Sequence, residues 1–263
     1  MVQTIYQIDA FADVLFKGNP AAVMPLQQWL GEELMQAIAA ENNLSETAFI
    51  VNEGAPHKWA VRWFTPEYEI DLCGHATLAS AYVIKQFLQT SVQEIHFSTQ
   101  KAGTLKVIVA GDVLTLDFPS RPPQPCTLPQ NLFAALGVER AVEVLKSRDY
   151  FVVLKNEAAV RSINPNFNLL QTLDAIGVIV TAPGKEYDAV SRCFYPGAGV
   201  PEDPVTGSAH CNIVPYWAGK LGKTNLRCLQ ASPRTGVLDC ELQGDRVLMS
   251  GTCVLYLKGE VFV

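Results

Sequence analysis

Histidine and charge are both scarce in this chain. It has four histidines in 263 residues, and no helix-like stretch pairs histidines or carboxylates at metal-ligand spacing. The expectation is therefore a protein without a metal. Charged residues make up only 17% of the chain and hydrophobic ones 49%, a balance that excludes a disordered or heavily solvated polypeptide. The net charge of -6 argues against nucleic acid or an anionic membrane as the main partner. No run approaches the roughly 20 apolar residues of a membrane span. Residues 1–11 lack the basic start and apolar stretch of a signal peptide. The seven cysteines contain no CxxC pair, so they read as reduced thiols, and the expected location is the cytoplasm.

The usual cofactor signatures are missing too. Gly197-Ala198-Gly199 lacks the third glycine of a dinucleotide fingerprint. Gly222-Lys223-Thr224 imitates the end of a phosphate loop, but Trp217 stands where that loop needs its first glycine. There is no GxSxG elbow. A nicotinamide, nucleotide or zinc enzyme is not expected, and the cofactor reading is none.

What the sequence does contain, it contains twice. Arg62-Trp63-Phe64-Thr65-Pro66 is followed by Gly74-His75-Ala76, and Arg192-Cys193-Phe194-Tyr195-Pro196 by Gly207-Ser208-Ala209, a shift of 133 residues from Gly74 to Gly207. The same shift places Gly103, Leu105, Gly111 and Asp112 on Gly236, Leu238, Gly244 and Asp245. One register fitting separated segments is the mark of an internal repeat. Alternating patterns predict strands at 58–64, 104–109 and 113–118, and again at 190–195, 237–242 and 246–250. Helices are predicted at 32–42, 77–87 and 208–221. The two Gly-Asp pairs read as tight hairpin turns. The proline-rich stretch 119–129 reads as a linker. The expected fold class is α+β: two similar lobes, 1–120 and 130–263, each a mostly antiparallel sheet holding one apolar helix. Terminal strands are allowed to cross between lobes.

Gly74 and Gly207 each stand where a loop enters a helix. Unpaired N–H groups and the helix dipole make such an end attractive to an anion, and glycine permits close approach. The small-molecule partner expected there is a carboxylate. Glu46, which leads into the apolar run Ala48-Phe49-Ile50-Val51, is a candidate proton carrier. Burial disfavours a charged carboxylate and suits it to acid–base work near neutral pH. Taken alone it reads more readily as a surface carboxylate or a helix-end partner, just as Asp203 reads as a turn residue before Pro204. Cys73 precedes the first helix, where a dipole lowers a thiol's pKa. Its repeat partner is Thr206, so no symmetric pair of thiols is available.

Several blocks, in order, resemble the PhzF-like family of phenazine-biosynthesis proteins. They are Ile8-Asp9-Ala10-Phe11 with Gly18-Asn19-Pro20-Ala21, then Leu44-Ser45-Glu46-Thr47-Ala48-Phe49, Cys73-Gly74-His75-Ala76-Thr77, Glu202-Asp203-Pro204-Val205-Thr206-Gly207-Ser208-Ala209 and Ser250-Gly251-Thr252. The resemblance implies the diaminopimelate-epimerase-like fold, with curved sheets around central helices and an active site between lobes. It also implies an isomerase that shuttles a proton through Glu46. His75 and Asp203 would hold and polarise the substrate, and Gly74, Gly207 and Ser208 would bind its carboxylate, with Cys73 beside them. Residues 122–181 match no family block, and the departure from the family's pattern lies there.

The leading reading is a cofactor-independent isomerase acting on a small cyclic or amino-substituted carboxylate. The rivals are a two-base epimerase or racemase, which Cys73 keeps open, and a non-catalytic binding protein with the same cleft. A homodimer is compatible with each.

Overall fold

The computed structural model describes residues 1–263. Tertiary contacts divide the chain into two units, Met1–Phe118 with Met249–Val263, and Pro119–Leu248. The whole is a mixed α/β fold of mostly antiparallel strands with few helices.

In the first unit β1 (Val2–Ala10) lies antiparallel to β2 (Asn19–Leu26), and β2 runs parallel to β3 (Glu46–Ala55). β3 is antiparallel to β4 (Lys58–Phe64), on which the short β5 (Glu69–Ile70) closes. β4 runs parallel to β6 (Glu94–Ser98), and β6, β7 (Thr104–Ala110) and β8 (Val113–Pro119) follow antiparallel. Parallel neighbours require a crossover. Helix α1 (Glu32–Asn42) supplies the first and α2 (Gly74–Val83) lies within the second. α1 has one buried face, Met35, Ile38 and Ala39, at helical spacing, which packs with Met24, Phe49 and Phe64. It has acidic Glu32 and Glu33 in its first turn and stops at Asn43, whose φ of 49° is left-handed. α2 is buried on all sides except at Tyr82, as its run of alanines and small residues allows.

The second unit has its own ladder. β9 (Gln124–Pro125) is antiparallel to β10 (Glu143–Lys146), with α3 (Leu132–Leu136) between them in sequence. β10 and β11 (Tyr150–Val153) are antiparallel, β11 and β12 (Val178–Ala182) parallel, and β12 and β13 (Ala189–Tyr195) antiparallel. The short β14 (Val200–Asp203) closes on β13. β13 runs parallel to β15 (Asn225–Gln230), and β15 is antiparallel to β16 (Gly236–Gln243). Helices α4 (Glu157–Arg161) and α5 (Phe167–Leu170) cross from β11 to β12, and α6 (Gly207–Leu221) from β14 to β15. The core combines Leu132, Val152, Val180, Val190 and Phe194. The chain returns through β17 (Arg246–Gly251) to β18 (Cys253–Phe262), which pairs antiparallel along the whole of β1. Residues 249–263 therefore belong to the first unit.

Two expectations need correction. Residues 119–129 are not a bare linker, because Gln124 and Pro125 pair with Lys146 and Leu145. α2 starts at Gly74 rather than Thr77, and its α-geometry gives way to a π-helical turn over Ile84–Leu88. The predicted hairpin turns are present, with Gly111 and Gly244 both at φ 60°. All seven cysteines are free. No helix is long and apolar enough to cross a membrane.

Candidate active site

Three polar side chains meet inside the first unit, each placed by a different local rule. Asn43 ends α1, and the chain then enters β3, where the next four residues after Glu46 are all buried. Glu46 is carried inward with them and is 9% exposed. In the parallel register it stands opposite Ala21 of β2. Asn19, two residues before Ala21, is fully buried on the same strand. His75 is the second residue of α2 and is buried. Its helix starts because Cys73 is extended (φ -138°, ψ 114°) and its carbonyl accepts a bond from Thr77 Oγ1 at 2.5 Å.

The imidazole of His75 is bracketed. Nε2 lies 2.9 Å from Glu46 Oε2. The two atoms are at ion-pair distance but out of hydrogen-bond alignment, so each keeps bonding capacity for a third group. On the other side of the ring, Asn19 Nδ2 is 3.1 Å from Nδ1, and Cys73 Sγ is 3.5 Å from the same nitrogen. Burial opposes charge on His75, but the acidic neighbours Cys73 and Glu46 outweigh it and hold the ring well above its usual value. Burial, reinforced by the Glu46 carboxylate, pushes the Cys73 thiol up to about 11. The helix dipole does not reverse this, so the expected activated thiol is absent.

Glu46, Cys73 and His75 are also a donor set of the kind that binds a cation, with their atoms within 4.8 Å of one another. The sulfur and the carboxylate, however, approach opposite ring nitrogens. That arrangement does not converge on one ion.

The second unit gathers the other expected residues. Asp203 ends β14, and Thr206 Oγ1 donates to its carboxylate at 2.6 Å. Gln230, wholly buried at the end of β15, accepts from the Thr206 N–H at 2.8 Å and donates to the Asp203 carbonyl at 2.7 Å. This clamp fixes the turn into α6, which Gly207 opens and in which Ser208 is half-buried. The same helix start holds His210, whose Nδ1 lies 2.8 Å from the Thr206 carbonyl and donates to it.

Glu46, Cys73, Gly74 and His75 thus come together in one unit, and Asp203, Gly207 and Ser208 in the other. Sequence reasoning passed over Asn19 and Gln230. Asn19 was visible only inside the Gly-Asn-Pro-Ala block, where an amide before proline reads as a turn. Gln230 carried no signal, being one polar residue closing a strand. Concavity is no better guide: a broad surface hollow of the first unit is lined by Thr4, Leu26, Gln28 and Trp59, away from the Glu46 cluster.

The chain is similar to known proteins over nearly its whole length. The family model described as Phenazine biosynthesis-like protein (PhzC-PhzF) matches residues 8–259. A Pseudomonas aeruginosa protein named as an uncharacterized isomerase is 50% identical over 261 residues, covering 99% of each chain. The crystal structure of a PhzF-family phenazine biosynthesis protein from Enterococcus faecalis superposes with a TM-score of 0.96 at 48% identity, covering 100% of both chains. A predicted epimerase from Pseudomonas aeruginosa shares the fold at a TM-score of 0.77, with 20% identity and 99% of each chain covered. The order of the motifs, the Glu46–His75 geometry and these likenesses together lead to one conclusion: the chain belongs to the phenazine biosynthesis-like (PhzC-PhzF) protein family.

Proposed function

We propose that this chain, an isomerase by its family and the names of its relatives, moves a proton between two carbons of a small carboxylate by general acid–base catalysis at Glu46. The observation that carries this reading is the buried carboxylate 2.9 Å from His75 Nε2, with bonding capacity left on both atoms. Glu46 removes a proton from a carbon beside the carboxylate and returns it to another. His75 stabilises the charge that develops by presenting Nε2, 2.9 Å from Glu46, to the reacting group. Gly207 and Ser208 offer an N–H and a hydroxyl of the kind that binds a carboxylate, beside Asp203, as Gly74 offers its N–H in the first unit. The substrate's own conjugation stores the electrons, so the step balances without a cofactor.

The reading includes an internal duplication. Its support is the pairing order β1 to β7, which recurs as β10 to β16 with the same parallel and antiparallel steps. It is supported again by Arg62 and Arg192. Arg62 grips Glu69 with two bonds of 2.7 and 2.6 Å, and Arg192 grips Glu202 with two of 2.8 Å. Each guanidinium lies 5.1 Å from the phenylalanine two residues on, Phe64 or Phe194.

The test is a thermal-shift screen of cyclic and amino-substituted carboxylates, followed by NMR of any binder after incubation with the protein. A ligand raises the melting temperature by mass action. The expected result is a double-bond isomer of a binder. Inversion at one centre without bond migration would favour a two-base epimerase instead, and binders that never change would favour a non-catalytic protein.

A further inference from the structure

The mechanism above leaves unstated which nitrogen of His75 carries its proton when the ring is neutral. We propose that Asn19 is a positioning residue that holds His75 Nδ1 as an acceptor and so directs the ring's single proton to Nε2, the nitrogen facing Glu46. This deepens the isomerase reading and rests on it for its purpose, though not for its evidence.

The geometry comes from three elements of one unit. Asn19 Nδ2 is 3.1 Å from Nδ1, and both residues are buried. An amide nitrogen only donates, so the ring nitrogen it faces must offer a lone pair. The partner of one imidazole nitrogen sets what the other can do. Here the other is Nε2, 2.9 Å from Glu46. The amide is held firmly. Gly18 before it has φ 67°, and a side chain there would meet the Ala10 carbonyl oxygen at 2.1 Å, so the chain enters β2 by a path only glycine permits. Asn19 then pairs with Ala10 as the first residue of the strand.

The titratable groups facing His75 are Glu46 on β3 and Cys73 at the start of α2. Both raise the ring's affinity for a second proton, and Asn19 acts against them. Glu46 favours the charged ring. Asn19 favours the neutral one, because a second proton, on Nδ1, would face its amide N–H.

The test needs no substrate. With only four histidines, long-range ¹H–¹⁵N correlation of uniformly ¹⁵N-labelled protein resolves each ring, and His75→Gln identifies the signal. At pH values where His75 is neutral, the expected wild-type pattern is a protonated Nε2 and a bare Nδ1. Asn19→Ala should lose that preference and raise the ring's titration midpoint by about one pH unit, the worth of one hydrogen bond. Asn19→Asp should raise it further. A wild-type ring protonated on Nδ1 overturns the proposal, whether or not any variant folds. A midpoint that moves in Asn19→Asp but not in Asn19→Ala also overturns it, since charge alone would then explain the shift. Failure of the isomerase reading shows elsewhere, in Glu46→Gln retaining turnover while the tautomer stays as proposed.

Discussion

In the first unit the residue before the buried central helix is Cys73 and the second residue of the helix is His75. In the second unit the same places hold Thr206 and Ser208. Both preceding residues are extended, and both carbonyls accept a bond from the side chain four residues on, Thr77 in one case and His210 in the other. Each helix follows an Arg–Glu grip of the same form. The strand that enters its sheet parallel to its predecessor begins with Glu46 in the first unit and with Val178 in the second. The two units thus differ in chemistry: one carries a carboxylate–imidazole pair, the other hydroxyls with helix N–H groups. Under the proposed function the comparison implies a division of labour, with proton transfer assigned to the first unit and carboxylate-binding groups to the second. It also explains why a symmetric two-base site does not suit this chain, since nothing in the second unit matches Glu46 or Cys73.

The largest effect should separate the two units by chemistry. Glu46→Gln keeps the shape and removes the proton carrier, so kcat should fall about 10²–10⁴-fold. Ser208→Ala should act mainly on KM, with less than about a tenfold change in kcat. Equal losses of kcat in both would break the division.

Next in size, the two Arg–Glu grips should cost alike when broken. Arg62 and Arg192 are 10% and 11% exposed. Arg62→Met or Arg192→Met leaves a partly buried glutamate without its partner, a loss of about 1–3 kcal/mol each, readable by urea unfolding. Arg192 also donates to the Ile163 carbonyl at 2.7 Å and Arg62 to Glu32 at 2.7 Å, so each substitution removes one further bond. A negligible cost for either would show that the grips are not equivalent.

The buried histidines of the two units should respond to pH in opposite senses. Burial lowers His210 from 6.5 to about 4, against its bond to the Thr206 carbonyl. The unfolded chain then binds the extra proton, so stability falls as pH drops from 6.5 to about 4, by about 3 kcal/mol in all. His210→Thr, which copies Thr77, should remove that slope. His75 lies above 6.5 in the folded protein, so its contribution is full below 6.5 and is lost as pH climbs through the folded value. Unfolding curves for His210→Thr and His75→Gln against wild type across this range separate the two. A slope unchanged in His210→Thr would place the acid sensitivity elsewhere.

The smallest expected effect is at Cys73. Its thiol stays protonated up to about 11, and Thr206 stands in the matching place. Cys73→Ser should cost less than about tenfold in rate, 1.4 kcal/mol of barrier. Complete loss with structure intact would promote the thiol to a catalytic group and the epimerase reading with it.

Much of the scaffold was legible because local signals agreed with tertiary needs. Helix α1 runs over the residues its periodicity predicts, and Gly111 and Gly244 turn where Gly-Asp pairs say they should. Residues 122–181 resisted because their elements are two to five residues long and are held by distant partners, as Val178 is by Phe194 across the ladder. Such short pieces have no period to read. α2 starts early because Gly74 to Ala76 are buried against strands, which outweighs the weak helix propensity of glycine. At the site, Glu46 and His75 stand out by residue type beside apolar runs. Asn19 and Gln230 act only through partners far away in sequence, and an amide alone declares no partner.

The central claim is that Glu46 is the group that moves the proton. The most direct measurement is mass spectrometry of a turned-over carboxylate after incubation in D₂O with wild type and with Glu46→Gln. The account predicts deuterium in the product made by wild type and none made by Glu46→Gln, with substrate binding largely retained. Deuterium incorporated by Glu46→Gln at the wild-type rate would contradict it, because another group would then be carrying the proton.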